Sequence, residues 1–385
     1  MSEFTHGSKH RKKILLVSNS TWNIYNFRLP IIKILLQNGF DVAVAAPVDH
    51  FIHYREQFPE VLHYDITKLH RKGFHMIRDV QLIFELINLY RHIKPDLIIH
   101  FTHKPNIFGG FASGFAKIPS ISVLTGLGYA FIRNRMEQHT MKQIYKLIGM
   151  INSHFVFENN EDRMLFIEQK IIKEYKTTAV MGCGVDPHYF SPREDGKIVE
   201  RLTFTYIGRL LYDKGIIEFV EAARQIKRME KAVNFVIVGN LDKENPASVS
   251  HNELLKWIDE DVITYEGYAE DVRDWISKSD CIVLPTYREG MPKIIMEAMS
   301  MGKPVIMTDV TGCREMATDG EEVIFVRPQD AEDLKSGILN FINLDIESRI
   351  SMGQKGRDRA MDLFDELNTA NSFLALSTRY TTECS

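Results

Sequence analysis

Two glutamates separated by seven residues, Glu289 and Glu297, frame the stretch of this 385-residue chain that points most directly to chemistry. The apolar run 281–285 predicts a buried strand before the first glutamate, and 294–301 predicts a helix after it. Free backbone N–H groups and the helix dipole attract an anion to such a helix start. We therefore expect Glu289 beside a ligand and Glu297 within reach of one of its hydroxyls. A nucleotide-sugar, with its diphosphate between two hydroxyl-rich rings, fits this arrangement.

A second candidate segment is the turn 208–215, which follows the apolar strand 202–207 and carries Arg209 and Lys214 between two glycines. A departing diphosphate needs its developing negative charge stabilised, and fixed cations at a helix start provide this without a metal ion. Arginine contributes a planar fork of donors and lysine a point charge. The turn therefore predicts a site for a diphosphate leaving group.

A third segment, 182–192, contains Gly-Val-Asp followed by Phe190 and lies between the two halves of the chain. The three segments, in this order, resemble the signature of retaining nucleotide-sugar glycosyltransferases of family 4. The resemblance covers roughly 13–380. It implies an α/β protein of the GT-B fold, with two Rossmann-like domains whose parallel sheets face each other across a cleft.

The resemblance also implies roles for individual residues. Glu297 is expected to bind the nucleotide ribose, and Glu289 to lie near the transferred sugar. The base is expected against the segment that ends at Tyr268. The implied donor is a UDP-sugar, a UDP-N-acetylhexosamine, and no metal cofactor is expected. The predicted donor-binding residues are Gly208, Arg209, Lys214, Tyr268, Gly290, Met291 and Glu297, and the predicted catalytic residues are His103, Arg209, Lys214 and Glu289.

The first half of the chain is expected to bind the acceptor. Segments 26–30, 103–109 and 126–128 resemble those of bacterial transferases that act on lipid-diphosphate sugars, including N-acetylgalactosaminyltransferases that use undecaprenyl-diphosphate-linked sugars. Residues 18–23 replace the glycine-rich first loop of many relatives, and the dinucleotide fingerprint is absent. The predicted acceptor-binding residues are Asn19, Arg28, Lys104, Asn106, Gly128, Arg133 and Arg135.

Strand-like and helix-like segments alternate along the chain, which predicts parallel sheets covered on both faces. We expect a tag remnant or disordered start at 1–12, an acceptor-binding domain at 13–184 and a nucleotide-sugar-binding domain at 200–362. The last helix, within 363–380, is expected to return to the first domain. The interruption by prolines near 184–200 suggests the boundary.

The charge distribution differs between the halves. Residues 1–196 contain 24 Lys and Arg against 18 Asp and Glu, whereas the whole chain has 47 against 51. A basic first half is consistent with an anionic membrane surface. Residues 129–136 and a following amphipathic helix either contact that surface or pack in the core. We expect a cytoplasmic protein, peripheral on the inner face of a bacterial membrane, with no nucleic-acid partner.

Other ligands and activities were compared with this interpretation. The four cysteines form no Cys-x-x-Cys pair, and Asp259-Glu260-Asp261 is interpreted as a solvated acidic turn, so no metal site is predicted. A nucleotide-sugar epimerase of the same fold and a non-catalytic nucleotide-sugar-binding protein remain as alternatives. The turn 208–215 and the segment 182–192 favour the transferase, because a binding protein needs no cations for a leaving group.

Overall fold

The computed structural model describes residues 11–70, 75–127, 135–193, 201–229, 232–242 and 245–382, without the side chains of Met76 and Arg135. The chain divides into two compact units, residues 1–180 with 369–385, and residues 181–368. The division falls at 180/181, so residues 181–184, which we assigned to the first domain, lie in the second unit.

The first unit is built on a sheet of seven strands, all parallel, in the order β3-β2-β1-β4-β5-β6-β7. Its strands are β1 (Lys13–Val17), β2 (Asp41–Ala45), β3 (Leu62–Tyr64), β4 (Leu97–Phe101), β5 (Ser120–Leu124), β6 (His154–Phe157) and β7 (Thr177–Ala179). The central strands are continuous apolar runs because both faces are covered by helices. Strand order reverses between β1 and β4, the position at which doubly wound sheets bind ligands.

Helices connect these strands. They are α1 (Thr21–Phe27), α2 (Leu29–Gln37), α3 (Tyr54–Gln57), α4 (Met76–Ile93), α5 (Gly110–Ala116), α6 (Arg135–Ile151) and α7 (Asn160–Glu168). Ser20 and Asn159 cap α1 and α7 by accepting from backbone N–H groups. On α6, Met141, Tyr145 and Ile148 are buried in the core, which decides between the two alternatives for that face of the helix.

The second unit contains six parallel strands in the order β10-β9-β8-β11-β12-β13. They are β8 (Leu202–Ile207), β9 (Val233–Val238), β10 (Thr264–Tyr265), β11 (Cys281–Leu284), β12 (Val305–Thr308) and β13 (Val323–Val326). The order again reverses at one place, between β8 and β11. Both units therefore have the Rossmann-like arrangement that the strand–helix alternation predicts.

The remaining helices are α8 (Ile216–Arg228), α9 (His251–Asp259), α10 (Arg273–Lys278), α11 (Lys293–Ser300), α12 (Ala331–Asn343), α13 (Ile346–Leu363) and α14 (Glu366–Thr382). The α14 side chains of Phe373, Leu376 and Tyr380 join the core of the first unit. Tyr380 Oη also lies 3.1 Å from His154 Nδ1. The last helix thus packs on the first sheet. No helix among the described residues is long and apolar enough to span a membrane.

Candidate active site

The turn after β8 and the loop after β11 meet at the switch point of the second sheet. Gly215 has a φ of +72°, and a Cβ atom there would collide with the carbonyl oxygen of Pro285. The positive φ and the close approach both favour glycine. Thr286 Oγ1 and the backbone N–H of Tyr287 also bond the Asp213 carbonyl, at 3.3 and 3.0 Å. These contacts fix the two loops against each other.

An ion pair joins these two loops. Lys214 Nζ donates to Glu289 Oε1, and the two side chains are 22% and 14% exposed. Thr286 Oγ1 donates to the same carboxylate oxygen at 3.0 Å, and the Glu289 N–H donates to the carbonyl of Thr311 at 3.2 Å. The structure therefore brings together two predicted catalytic residues that lie 75 positions apart in sequence.

Arg209 lies on the same turn and remains accessible. Its side chain is 50% exposed, and its Nη1 pairs with Asp242 Oδ2 at 3.3 Å. Its carbonyl accepts from Tyr206 Oη at 2.7 Å, and burial, followed by the charge of Glu289, raises the pKa of that tyrosine. Gly208 donates to Val238 at 2.9 Å. The backbone of the turn is thus fixed, while the guanidinium faces solvent, where a diphosphate would compete with Asp242.

Glu297 is the fifth residue of α11 and is only 8% exposed. Burial raises its pKa to about 7, Lys293 Nζ at 3.7 Å opposes this shift, and Asp271 adds to it. Further hydrogen-bond donors would favour the ionised form of this buried carboxyl. Ribose hydroxyls would supply such donors.

The other predicted donor-binding residues are distributed around this site. Gly290 and Met291, on the loop before α11, are both buried, and the side chain of Met291 packs in an apolar cluster of the second unit. Tyr268, beyond β10, is 57% exposed. The roles assigned to their backbone and ring atoms stay predictions.

In the first unit, Asn19 follows β1 and His103 follows β4, so both lie at the carboxyl edge of the sheet near its switch point. His103 Nδ1 is 3.3 Å from Tyr145 Oη, and burial lowers the pKa of His103. A neutral imidazole is therefore favoured, with one ring nitrogen near the tyrosine. Thr102, just before it, has a φ of +73°, an uncommon conformation for a threonine.

Three predicted acceptor residues have internal partners. Lys104 Nζ pairs with Asp79 Oδ1 at 3.0 Å, and both residues are less than a tenth exposed. Asn106, 1% exposed, donates to the Val123 carbonyl at 2.8 Å. Both polar groups therefore lie inside the domain and not on an open surface. Each makes a hydrogen bond with a buried partner, as buried polar groups in folded proteins usually do.

Arg28, the third of these residues, is 2% exposed. Its two terminal nitrogens each lie 3.4 Å from Glu158 Oε1, and its guanidinium carbon lies 4.4 Å from the centre of the Phe101 ring. Burial raises the pKa of Glu158 and Arg28 lowers it. Gly128, Arg133 and residues 129–134 lie outside the described residues, as does the side chain of Arg135.

The structure adds residues that the sequence reasoning missed. Thr286 and Asp242 bond the predicted catalytic groups, and Asp79 and Glu158 neutralise the two buried cations of the first unit. Thr286 lies just after β11 and three residues before Glu289, a position from which the sequence could have predicted that it contributes to the site. The other three are distant in sequence from their partners and become evident only in the folded chain.

Metal ligation was also considered. The described residues contain no group of three or more His, Cys, Asp or Glu side chains arranged to hold a metal ion. In the acidic turn after α9, Glu260 instead pairs with Arg224 at 2.7 Å and Asp261 with Lys227 at 3.6 Å.

Two family models match the chain and together cover more than half of it. A model described as "Glycosyl transferase 4-like" matches residues 13–157, and one described as "Glycosyl transferases group 1" matches residues 201–343. The first match contains β1 to β6 with His103, and the second contains Arg209, Lys214, Glu289 and Glu297.

Among curated proteins, the chain is 28% identical over 384 residues to the N,N'-diacetylbacillosaminyl-diphospho-undecaprenol alpha-1,3-N-acetylgalactosaminyltransferase of Campylobacter jejuni, covering 95% of this chain and 98% of that protein. It is 27% identical over 256 residues to the Escherichia coli UDP-Gal:alpha-D-GlcNAc-diphosphoundecaprenol alpha-1,3-galactosyltransferase, covering 63% of this chain and 65% of that protein.

Solved structures show the same fold. The Anabaena protein HepE in complex with UDP and glucose aligns with a TM-score of 0.77 at 19% identity, covering 96% of this chain and all of that one (100%). The sucrose-phosphate synthase of Thermosynechococcus elongatus aligns with a TM-score of 0.79 at 18% identity, over 97% and 100% of the two chains. The chain therefore belongs to the group 1, family-4-like glycosyltransferases, and its two parallel-sheet domains are those of the GT-B fold.

Proposed function

We propose that this glycosyltransferase moves an N-acetylhexosamine from a UDP-sugar to a saccharide carried on undecaprenyl diphosphate, with retention of anomeric configuration and without a metal ion. The observation that carries the proposal is the junction of Lys214 and Glu289 at the switch point of the second sheet, with Arg209 on the same turn. The likeness over 95% of the chain to the Campylobacter enzyme supports the choice of acceptor.

Lys214 and Arg209 stabilise the departing UDP. Glu289 and Asp242 pair with these cations and hold both at the carboxyl edge of the sheet. An incoming diphosphate competes for these cations, and its negative charge grows as the glycosidic bond breaks. Groups fixed in advance stabilise this charge more in the transition state than in the ground state.

Retention follows from attack on the same face from which UDP departs, with the leaving phosphate accepting the proton of the acceptor hydroxyl. No carboxylate nucleophile is then required. Glu289 orients Lys214 and lies beside the transferred sugar, while Glu297 accepts from the ribose hydroxyls. Atoms balance, because the acceptor gains the glycosyl group and UDP leaves with the proton.

Incubation with UDP-N-acetylhexosamine, with and without a lipid-diphosphate saccharide, tests this function by mass spectrometry of the products. We expect transfer that needs the acceptor, and its loss in a Lys214→Met variant. Lys335→Met is the matched control, because that lysine pairs with Glu332 on α12. A new epimer of the donor without transfer indicates an epimerase instead, and unaltered donor that nevertheless binds indicates a non-catalytic protein.

The proposal includes an anionic membrane surface as a partner. Several large apolar side chains of α4 and α6 are exposed, among them Ile77 (76%), Phe84 (63%), Met136 (79%) and Met150 (72%). Cations accompany them, Arg78 on α4 and Lys142 and Lys146 on α6. Apolar side chains flanked by cations suit the boundary between acyl chains and headgroup phosphates.

Vesicle co-sedimentation tests this surface. Wild type should bind vesicles that contain anionic lipid, less at high salt, and an Ile77→Ser/Phe84→Ser variant should bind more weakly. Ile346→Ser/Ile350→Ser is the control, since these residues are 70% and 66% exposed on a helix of the second unit. Equal loss in both variants would argue against a specific surface on α4.

A further inference from the structure

Six rings lie beyond the carboxyl ends of β1 and β2, on the segments 21–27 and 50–53, as one pair and one group of four. Tyr25 lies 5.3 Å from Phe51 and 4.8 Å from His53, measured between ring centres. Trp22 and Phe27 form an edge-to-face pair at 5.2 Å. We name this group the aromatic shelf; its members are Trp22, Tyr25, Phe27, His50, Phe51 and His53.

The core of the first unit accounts for one ring of the shelf, because Tyr25 packs against its main apolar cluster. Trp22, Phe27 and Phe51 are half-buried and belong to none of the apolar clusters found in the described part of the chain. Aromatic side chains are among the largest sources of buried area in a fold. Half-buried rings that do not belong to a core cluster are typical of a binding surface.

Backbone contacts hold the two segments of the shelf together. Asp49 accepts from the N–H of Trp22 at 3.0 Å and from that of Phe51 at 2.9 Å, one bond to each carboxylate oxygen. The N–H of Asp49 donates to Thr21 Oγ1 at 3.0 Å. One carboxylate therefore fixes the start of α1 against the turn after β2, and the rings keep a defined arrangement.

Arg28 connects the shelf to the strand that precedes His103. Its guanidinium carbon lies 5.8 Å from the Phe27 ring and 4.4 Å from the ring of Phe101, the last residue of β4. Glu158 pairs with the two terminal nitrogens of Arg28, and the buried Nε of Arg28 has no hydrogen-bond partner among the described residues. Arg28 thus lies between the Phe27 ring of the shelf and the end of β4.

We propose that the aromatic shelf is the subsite on which a sugar ring of the acceptor saccharide stacks, an inference that rests on the proposed function. A pyranose has an apolar C–H face and a hydroxylated rim. Ring faces and imidazole nitrogens match these two features. Because β1 lies between β2 and β4, the strand ends that precede the shelf lie within about two strand spacings, roughly 10 Å, of the end of β4 that precedes His103.

The charges of the shelf favour a sugar over a membrane. Residues 18–27 contain no charged side chain, and residues 46–53 contain only Asp49, which is bonded to the backbone. A surface that bound anionic headgroups would need cations close to its aromatic residues. Of the two arginines that follow these segments, Arg28 is buried and paired with Glu158, whereas Arg55 is exposed on α3.

The test uses N-acetylglucosamine linked through a diphosphate to a short prenyl chain as the acceptor. Trp22→Leu and Phe51→Leu should each raise the acceptor KM about tenfold, the factor that corresponds to the loss of one ring contact, and leave the donor KM unchanged. Trp22→Tyr and Phe51→Tyr should restore most of the affinity. Tyr175→Leu is the control, because this 67% exposed aromatic residue precedes β7 at the opposite edge of the sheet.

A second measurement does not depend on turnover. In a Trp257→Phe/Trp275→Phe background, Trp22 is the one tryptophan that remains of the three in the chain. Its fluorescence should respond to the acceptor with saturation near the acceptor KM.

The shelf is not an acceptor subsite if both leucine variants keep the wild-type acceptor KM, or if the fluorescence of Trp22 does not respond to the acceptor. If the leucine variants bind vesicles more weakly but keep the acceptor KM, the shelf contacts the membrane, and its role as an acceptor subsite is also overturned. Absence of transfer by the wild type defeats the proposed function, whereas a saturable Trp22 response in that case still supports the shelf.

Discussion

Replacing Glu297 by glutamine should make the second unit more stable, and the gain should grow with pH. The folded protein raises the pKa of this carboxyl from 4.5 to about 7, mainly because the side chain is buried. Between these two pKa values the folded state binds more protons than the unfolded state. Stability therefore falls as pH rises through this interval, and the penalty is complete above the folded pKa.

The size of the effect follows from the shift. Each pKa unit corresponds to about 1.4 kcal/mol, so the whole penalty is about 3 kcal/mol, and about 2 kcal/mol of it develops between about pH 5.5 and pH 8. Glutamine keeps the shape of the side chain and has no charge to desolvate. The difference in free energy of unfolding, Glu297→Gln minus wild type, should therefore increase by about that amount over this range.

Urea unfolding followed by tryptophan fluorescence measures this difference in a Trp22→Phe background, where Trp257 and Trp275 both report on the second unit. Glu253→Gln is a control of opposite sign. The Ser250 hydroxyl and backbone N–H lower the pKa of Glu253, so its ionised form stabilises the fold. This contribution is complete above the ordinary pKa of 4.5, so Glu253→Gln should be less stable than wild type by an amount that stays constant from about pH 5.5 to pH 8. A Glu297→Gln difference that stays constant with pH would refute the reasoning.

Three further results are expected. Arg209→Ala and Lys214→Ala should each lower kcat by about 10²–10³ and raise the donor KM much less, because their charges act mainly on the departing diphosphate. Glu297→Ala should instead raise the donor KM. Steady-state kinetics with similar small effects from all three variants would show that the donor is misplaced. EDTA should leave the initial rate of transfer unchanged, and a full loss restored by manganese would defeat metal independence. Gly215→Ala should destabilise the protein by clearly more than Gly320→Ala in thermal unfolding. Both glycines have positive φ, but only at Gly215 would the added Cβ collide with a backbone oxygen. The Gly320→Ala variant should lose about 1–2 kcal/mol of stability.

The sequence predicted the central strands of both sheets because each is an apolar run of β-branched and other large residues, covered on both faces. The short edge strands β3 and β7 were missed. Their six residues, Leu-His-Tyr and Thr-Thr-Ala, are partly exposed and mostly polar, so no hydrophobic run marks them. Helix α5 was missed because its sequence, GFASGFA, contains two glycines, which disfavour a helix in isolation.

The candidate site was predictable to a similar extent. Glu289, Lys214 and Arg209 follow strand ends, and such positions converge at the edge of a parallel sheet. The partners were not predictable, because a pair such as Lys104 with Asp79 or Arg28 with Glu158 forms only after helix and strand pack together. An isolated charged residue in a sequence is usually solvated, and nothing local distinguishes a buried pair from an exposed residue.

The anomeric configuration of the transferred sugar tests the central claim most directly. Nuclear magnetic resonance of the product formed from an α-linked UDP-N-acetylhexosamine and a soluble lipid-diphosphate saccharide reports it through the coupling of the anomeric proton. The account predicts a new α-glycosidic bond, formed in the presence of EDTA and lost in Lys214→Met. A β-linked product, or transfer that is undiminished without the Lys214 ammonium, would contradict it.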